Sequence, residues 1–118
     1  MRVLTTILLL LISATATRSD EPVTARVSPG IVMAGRDATV RLTCRVVRHP
    51  DNRKLEYGLE GYSSSERQLD GEASRVTWET FITHIPCGVE RAFCIITRAD
   101  RRTFSAFAPL VVAGCDGP

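Results

Sequence analysis

The side chains best suited to chemistry in this 118-residue chain are four cysteines, two histidines and a run of three serines. Cys44, Cys87, Cys94 and Cys115 include no Cys-x-x-Cys pair, and Cys87 and Cys94 stand seven apart. With His49 and His84, four thiols leave two uses open: a zinc site, or two disulfides. Nucleophilic catalysis needs a nucleophile, a base and a group that orients them. Ser63, Ser64 and Ser65 have no neighbour that would activate them, and His84 beside Ile85 and Pro86 reads as the margin of a sheet. His49 precedes Pro50 in the stretch RHPDNR, residues 48–53, where Asp51 and Asn52 suggest either a cation site or a turn; Pro, Asp and Asn are turn formers. No phosphate-binding glycine loop occurs. The expectation is a protein without catalytic residues, metal or cofactor. The single asparagine lies in Asn52-Arg53-Lys54, which is not a glycosylation sequon.

What the thiols do depends on where the chain goes. Arg2 is followed by an apolar run, VLTTILLLLI (residues 3–12), and Ala14-Thr15-Ala16 fits a small-x-small cleavage site. A spanning helix needs about 20 apolar residues, so this run is too short to be one. Residues 1–16 are therefore expected to be a cleaved secretory leader and residues 17–118 the mature domain, secreted or periplasmic, with no later membrane span. In an oxidising compartment an even number of cysteines in a short chain reads as disulfides.

Composition adds exclusions. With 44% hydrophobic and 24% charged residues, the chain has enough apolar surface for a core. The formal charge is +2, and loss of Arg2 with the leader leaves 2 − 1 = +1, too small a field for nucleic acid.

The elements that must position these residues are strands. In residues 38–46, Ala38, Val40, Leu42, Cys44 and Val46 share one face and Thr39, Arg41, Thr43 and Arg45 the other, a period of two that puts Cys44 in the core. Val23, Ala25 and Val27 repeat the alternation until Ser28-Pro29-Gly30 interrupts it, and Ile31 to Met33 resume it, as an edge strand in two pieces. Leu55, Tyr57 and Leu59 form one face of another strand. Residues 60–74, with their glycines and serines, suggest short edge-like strands. In residues 75–85 the alternation shifts phase between Trp78 and Phe81, which predicts a bulge. Residues 91–98 and 103–114 read as a hairpin around residues 99–102. No helical periodicity of useful length follows the leader.

These residues resemble the immunoglobulin superfamily. PGIVMAGRDATVRLTC is similar to the Gly-x-x-x-x-Val-x-Leu-x-Cys approach to strand B, and AFCIITR to the cysteine of strand F 50 residues later. The resemblance implies an all-β fold, an immunoglobulin-like two-sheet antiparallel β-sandwich. The chain departs from the pattern in lacking the buried Trp of strand C, for which Tyr57 is the best substitute, and the tyrosine two residues before the second cysteine, whose place Ala92 takes. The resemblance implies a bridge from Cys44 to Cys94 across the core. For the second pair, a turn centred between Asp100 and Arg101 sets Cys87 near Gly114, within reach of Cys115. In the chain-entropy picture the longer loop is worth about 4 kcal/mol and the shorter slightly less.

Two surfaces could bind a partner. With Cys94 inward, Phe93, Ile95 and Thr97 point outward, and the same register turns Phe104, Ala106, Ala108 and Leu110 outward beside them; a one-residue slip, or cover by a loop or the serine-rich strand, would remove this face. Apolar surface of this extent is unusual if left to water. The edge containing Pro109 suits β-augmentation. The second surface is the end loop, with Arg48, His49, Asp51 and Arg53 as contacts. The expected function is a small exported interaction or adhesion module with a protein or cell-surface ligand, or self-association. A secreted disulfide-stabilised inhibitor or defence factor, and a structural decoration of a virion or cell surface, are the alternatives.

Overall fold

The computed structural model describes residues 21–35, 37–73 and 75–115, and the expected leader lies outside them. The described chain is a sandwich of nine strands: β1 (Val23–Ser28), β2 (Ile31–Met33), β3 (Thr39–Val46), β4 (Asn52–Leu59), β5 (Ser63–Gln68), β6 (Thr77–Thr83), β7 (Arg91–Arg98), β8 (Thr103–Pro109) and β9 (Val111–Ala113). One layer is the antiparallel sheet β1-β3-β6 and the other the antiparallel sheet β5-β4-β7-β8. A third, two-stranded sheet pairs β2 with β9 in parallel, an addition to the two sheets expected. The break at Ser28-Pro29-Gly30 is where the chain leaves the partner of β3 and crosses to that of β9; proline offers no ladder donor there.

Alternation does what the sequence demands of it. Val40, Leu42, Cys44 and Val46 of β3 are buried, as are Leu55, Tyr57 and Leu59 of β4 and Ala92, Cys94 and Ile96 of β7. The two layers are joined through the middle by Cys44–Cys94, with Cα atoms 5.9 Å apart, and Cys87–Cys115, with Cα atoms 5.7 Å apart, ties the loop between β6 and β7 to the chain just after β9. All four thiols are thus consumed, which corrects the zinc alternative.

Each cysteine of the central bridge sits in a row running from small to large. In one sheet Ala25, Cys44 and Trp78 are directly opposed; in the other Ala106, Cys94 and Tyr57 are. The missing aromatic is therefore supplied from both layers, by Tyr57 as expected and by Trp78 of β6, which partly buries itself against the core.

Three expectations need correction. β6 has no bulge: it pairs with β3 in unbroken register, placing Trp78, Thr80 and Ile82 inward and leaving Phe81 outward and 70% exposed. The apparent phase shift is an exposed phenylalanine following a polar residue at an inner position. Residues 60–74 hold one edge strand, β5, and a single 3-10 turn at Gly71–Ala73, not several short strands. The hairpin β7–β8 is centred on Asp100, one half-residue from the centre expected. Its loop has three residues: Arg101 takes φ of 71°, the Arg98 and Arg102 backbones bond across it, and the Asp100 carboxylate accepts from the Arg102 amide at 3.0 Å. A three-residue loop with a left-handed last position is a standard hairpin connection, and it moves the pairing by one place.

Candidate functional site

That one-place shift rebuilds the candidate face. Cys94 opposes Ala106, so Phe104, Ala106, Ala108 and Leu110 turn inward, which corrects their expected outward placement. Leu110 is 3% exposed and belongs to the core, and Phe104 packs against the core beneath the Arg98 guanidinium, 4.5 Å from its ring centre. Phe93 and Ile95 point outward as expected, and they gain a neighbour the sequence reading missed. Phe107 stands directly opposite Phe93 and is 45% exposed.

The row across this sheet reads Ser64, Gly58, Phe93, Phe107. Gly58 is required by backbone approach: a Cβ there would run into the Ser63 carbonyl. On the outer side of this sheet lies an open hollow of about 530 Å³ with Phe93, Ile95, Phe107 and Tyr62 as its apolar walls and Glu56 and Glu60 at its rim. Tyr62 is tied down by its hydroxyl, which donates toward the carbonyl oxygens of Thr83 and His84 at 2.9 and 3.0 Å.

Charge at the rim is ordered. Both Glu60 oxygens accept from the Arg91 guanidinium, at 3.1 and 2.9 Å, and that guanidinium lies over the Phe107 ring 3.9 Å from its centre. Hydrogen bonding to Glu60 raises the Arg91 pKa above its ordinary value, against a smaller opposing effect of desolvation. Farther along, Glu56 and Glu66 are directly opposed on β4 and β5, and only Glu56 has a cation, Lys54 at 3.5 Å. Like charges directly across a ladder are unfavourable. The pair lies on the outer face of the sheet, where neither carboxylate is buried.

The end loop is built differently. His49 Nδ1 accepts from the Asp51 amide at 3.1 Å, and the Arg53 guanidinium donates to the Pro50 and Asn52 carbonyls at 2.8 and 3.0 Å. The Asp51 carbonyl takes the Ala99 amide at 2.8 Å, joining this loop to the β7–β8 turn. His49 and Arg53 thus serve the loop's own shape, while the side chains of Arg48 and Asp51 lie exposed at its surface. The residue holding the loop is Asn52. It is fully buried; its Nδ2 donates to the Val47 carbonyl at 3.0 Å and its Oδ1 accepts from Arg98 Nε at 3.3 Å. A lone asparagine before a charged stretch carries no sequence signal of burial, so it read as a turn former.

No group of three or more potential metal-ligating side chains converges among the described residues, and no described helix is long and apolar enough to cross a membrane. No protein-family model matches the chain, and no curated protein matches it either.

Proposed function

We propose that the chain is an exported immunoglobulin-like interaction module that binds a protein partner through the outer face of β4, β7 and β8 and carries out no catalysis. Support for the immunoglobulin-like reading comes from the bridge between the two strands that carry the quoted motifs, β3 and β7, and from the way the first edge pairs with β3 through β1 and then, through β2, in parallel with β9. Export is supported by the two disulfides, since such bonds persist in oxidising compartments, and by the leader pattern in residues 1–16.

The observation that carries the binding face is the hollow between Phe93, Phe107 and Tyr62. Phe93, Ile95 and Phe107 meet there on an outer sheet surface, next to an opposed carboxylate pair with one cation between them. Aromatic anchors around a depression with a charged rim are what a protein interface uses at its centre. The end loop favours this reading less, because most of its polar groups already serve one another.

The test is capture of surface proteins from the native surroundings by immobilised wild-type chain against Phe93→Arg. Phe93 is half-buried and outward, so the variant keeps the core; equal melting temperatures check that. Loss of most of the captured material supports the face. Unchanged capture moves the site elsewhere.

A further inference from the structure

The outer face of the other sheet is the chemical complement of the hollow. Arg26 of β1 and Arg41 and Arg45 of β3 all point outward there, and Phe81 projects beside Arg41, its directly opposed neighbour. Arg41 has only a long contact to Glu79, 3.8 Å. Arg26 and Arg45 have no ion-pair partner among the described residues. By strand and sheet spacing Arg41 stands about 5 Å from Phe81, and Arg26 and Arg45 about 12 and 14 Å. On the opposite face, Glu56 lines the hollow itself and Glu66 is its directly opposed neighbour on β5. One face thus offers an exposed aromatic knob with three arginines against one carboxylate, Glu79, and the other a hollow where, once Arg91 has paired with Glu60, Glu56 and Glu66 share one cation, Lys54.

We propose that these faces dock on each other between copies of this chain, with Phe81 of one copy seated in the hollow lined by Phe93, Ile95 and Phe107 of the next. This rests on the reading of the hollow as a binding face and names its occupant as a second copy. Because the knob and the hollow are on opposite sides of the sandwich, the contact is heterologous: each copy that fills a neighbour's hollow leaves its own free. The consequence is a stack open at both ends, not a closed dimer. Arg41, Arg45 and Arg26 then face the unneutralised Glu66 and the Glu56 beside it, and salt screens that part of the attraction.

The experiment uses the full chain expressed with export into an oxidising compartment, and follows mass by sedimentation velocity from micromolar to millimolar concentration at low and high salt. Wild type should form a series of growing species that shrink as salt rises. Phe81→Ser and Phe93→Arg should each weaken association at least tenfold, and Arg45→Glu should act like Phe81→Ser while leaving every hydrophobic contact in place. The signature of a heterologous contact is complementation. Mixing Phe81→Ser, which keeps an intact hollow, with Phe93→Arg, which keeps an intact knob, should yield a single 1:1 species that grows no further. A wild-type chain that stays monomeric, or a mixture that does not re-associate, overturns the stack. If a monomeric chain still captures a surface protein through Phe93, the binding face stands and its occupant is not a second copy. If neither association nor capture is seen, both readings fail.

Discussion

Replacing Asn52 by alanine tests whether one buried amide holds the loop end together. The substitution removes two hydrogen bonds, to the Val47 carbonyl and from Arg98 Nε, and empties space that is fully enclosed. A hydrogen bond of this kind contributes about 1 kcal/mol net, and a buried group left without a partner costs about 1–3 kcal/mol. Val47 and Arg98 retain partial access to water, which places each bond near the lower end. Adding a small cavity gives a total of about 2–3 kcal/mol. For a domain of roughly 100 residues, 1 kcal/mol moves the melting temperature by about 4–8 °C, so Asn52→Ala should melt roughly 10–20 °C lower. Urea denaturation followed by tryptophan fluorescence should give a lower midpoint with unchanged slope. Amide exchange should rise at Ala99, whose N–H donates to Asp51. A loss below about 0.5 kcal/mol, within the ordinary range for surface substitutions, would mean that the loop is held by its own backbone bonds and that the asparagine is incidental.

Other positions make equally definite demands. Mild reductant should open Cys87–Cys115, which is exposed, before Cys44–Cys94, which is buried; mass spectrometry after alkylation of the folded chain reads the order, and prior labelling of Cys44 would contradict it. Removing the central bridge as a Cys44→Ala, Cys94→Ala pair should cost about 4 kcal/mol by loop entropy alone, measured by urea unfolding of the oxidised proteins. Gly58→Ala forces a Cβ against the Ser63 carbonyl, and should cost more than the roughly 1 kcal/mol spread typical of strand substitutions, with the loss visible in the melting temperature. Trp78→Phe should be nearly neutral, within about 1 kcal/mol, while Trp78→Ala costs about 3 kcal/mol or more. The buried indole N–H finds no acceptor among the described residues, so only the ring's packing is at stake.

Legibility followed a physical line. β3 and β7 could be read almost residue by residue, because a period of two with one apolar face leaves only one way to orient the strand. The inward position of Cys44 and Cys94 was legible for the same reason; their pairing came from the immunoglobulin resemblance, and that of Cys87 with Cys115 from the approximate centre of the last hairpin. Phe104, Ala106, Ala108 and Leu110 were assigned to the wrong face, and Phe107 was missed, because a hairpin's register is set by its loop, and whether residues 99–101 make a three-residue turn depends on Arg101 adopting a left-handed backbone, which its side chain does not announce. Phe81 was misread as half of a bulge because an exposed phenylalanine breaks the rule on which the reading rests. Phe81 and Phe107 are both exposed aromatics, one on each outer face.

The inner row around the central bridge bears on why those faces are open at all. Ala25 and Ala106 are small on one side of the disulfide, and Trp78 and Tyr57 are large on the other, so the layers are filled by bulk on the flank of β5 and β6 and by close approach on the flank of β1 and β8. No described strand covers the β5–β6 flank. Instead, the Tyr62 hydroxyl bonds the carbonyls of Thr83 and His84 across the gap, linking the turn after β4 to the end of β6. That tie fixes one wall of the hollow to the sheet that carries Phe81, adding at this flank to the link that Cys44–Cys94 makes through the middle. Tyr62→Phe removes the tie while leaving the aromatic wall in place. It should leave the melting temperature almost unchanged, since the bonds are solvent-exposed, yet weaken stacking of copies measurably by sedimentation. If association were instead as strong in Tyr62→Phe as in wild type, the rigidity of this link would have no part in holding the two faces to each other.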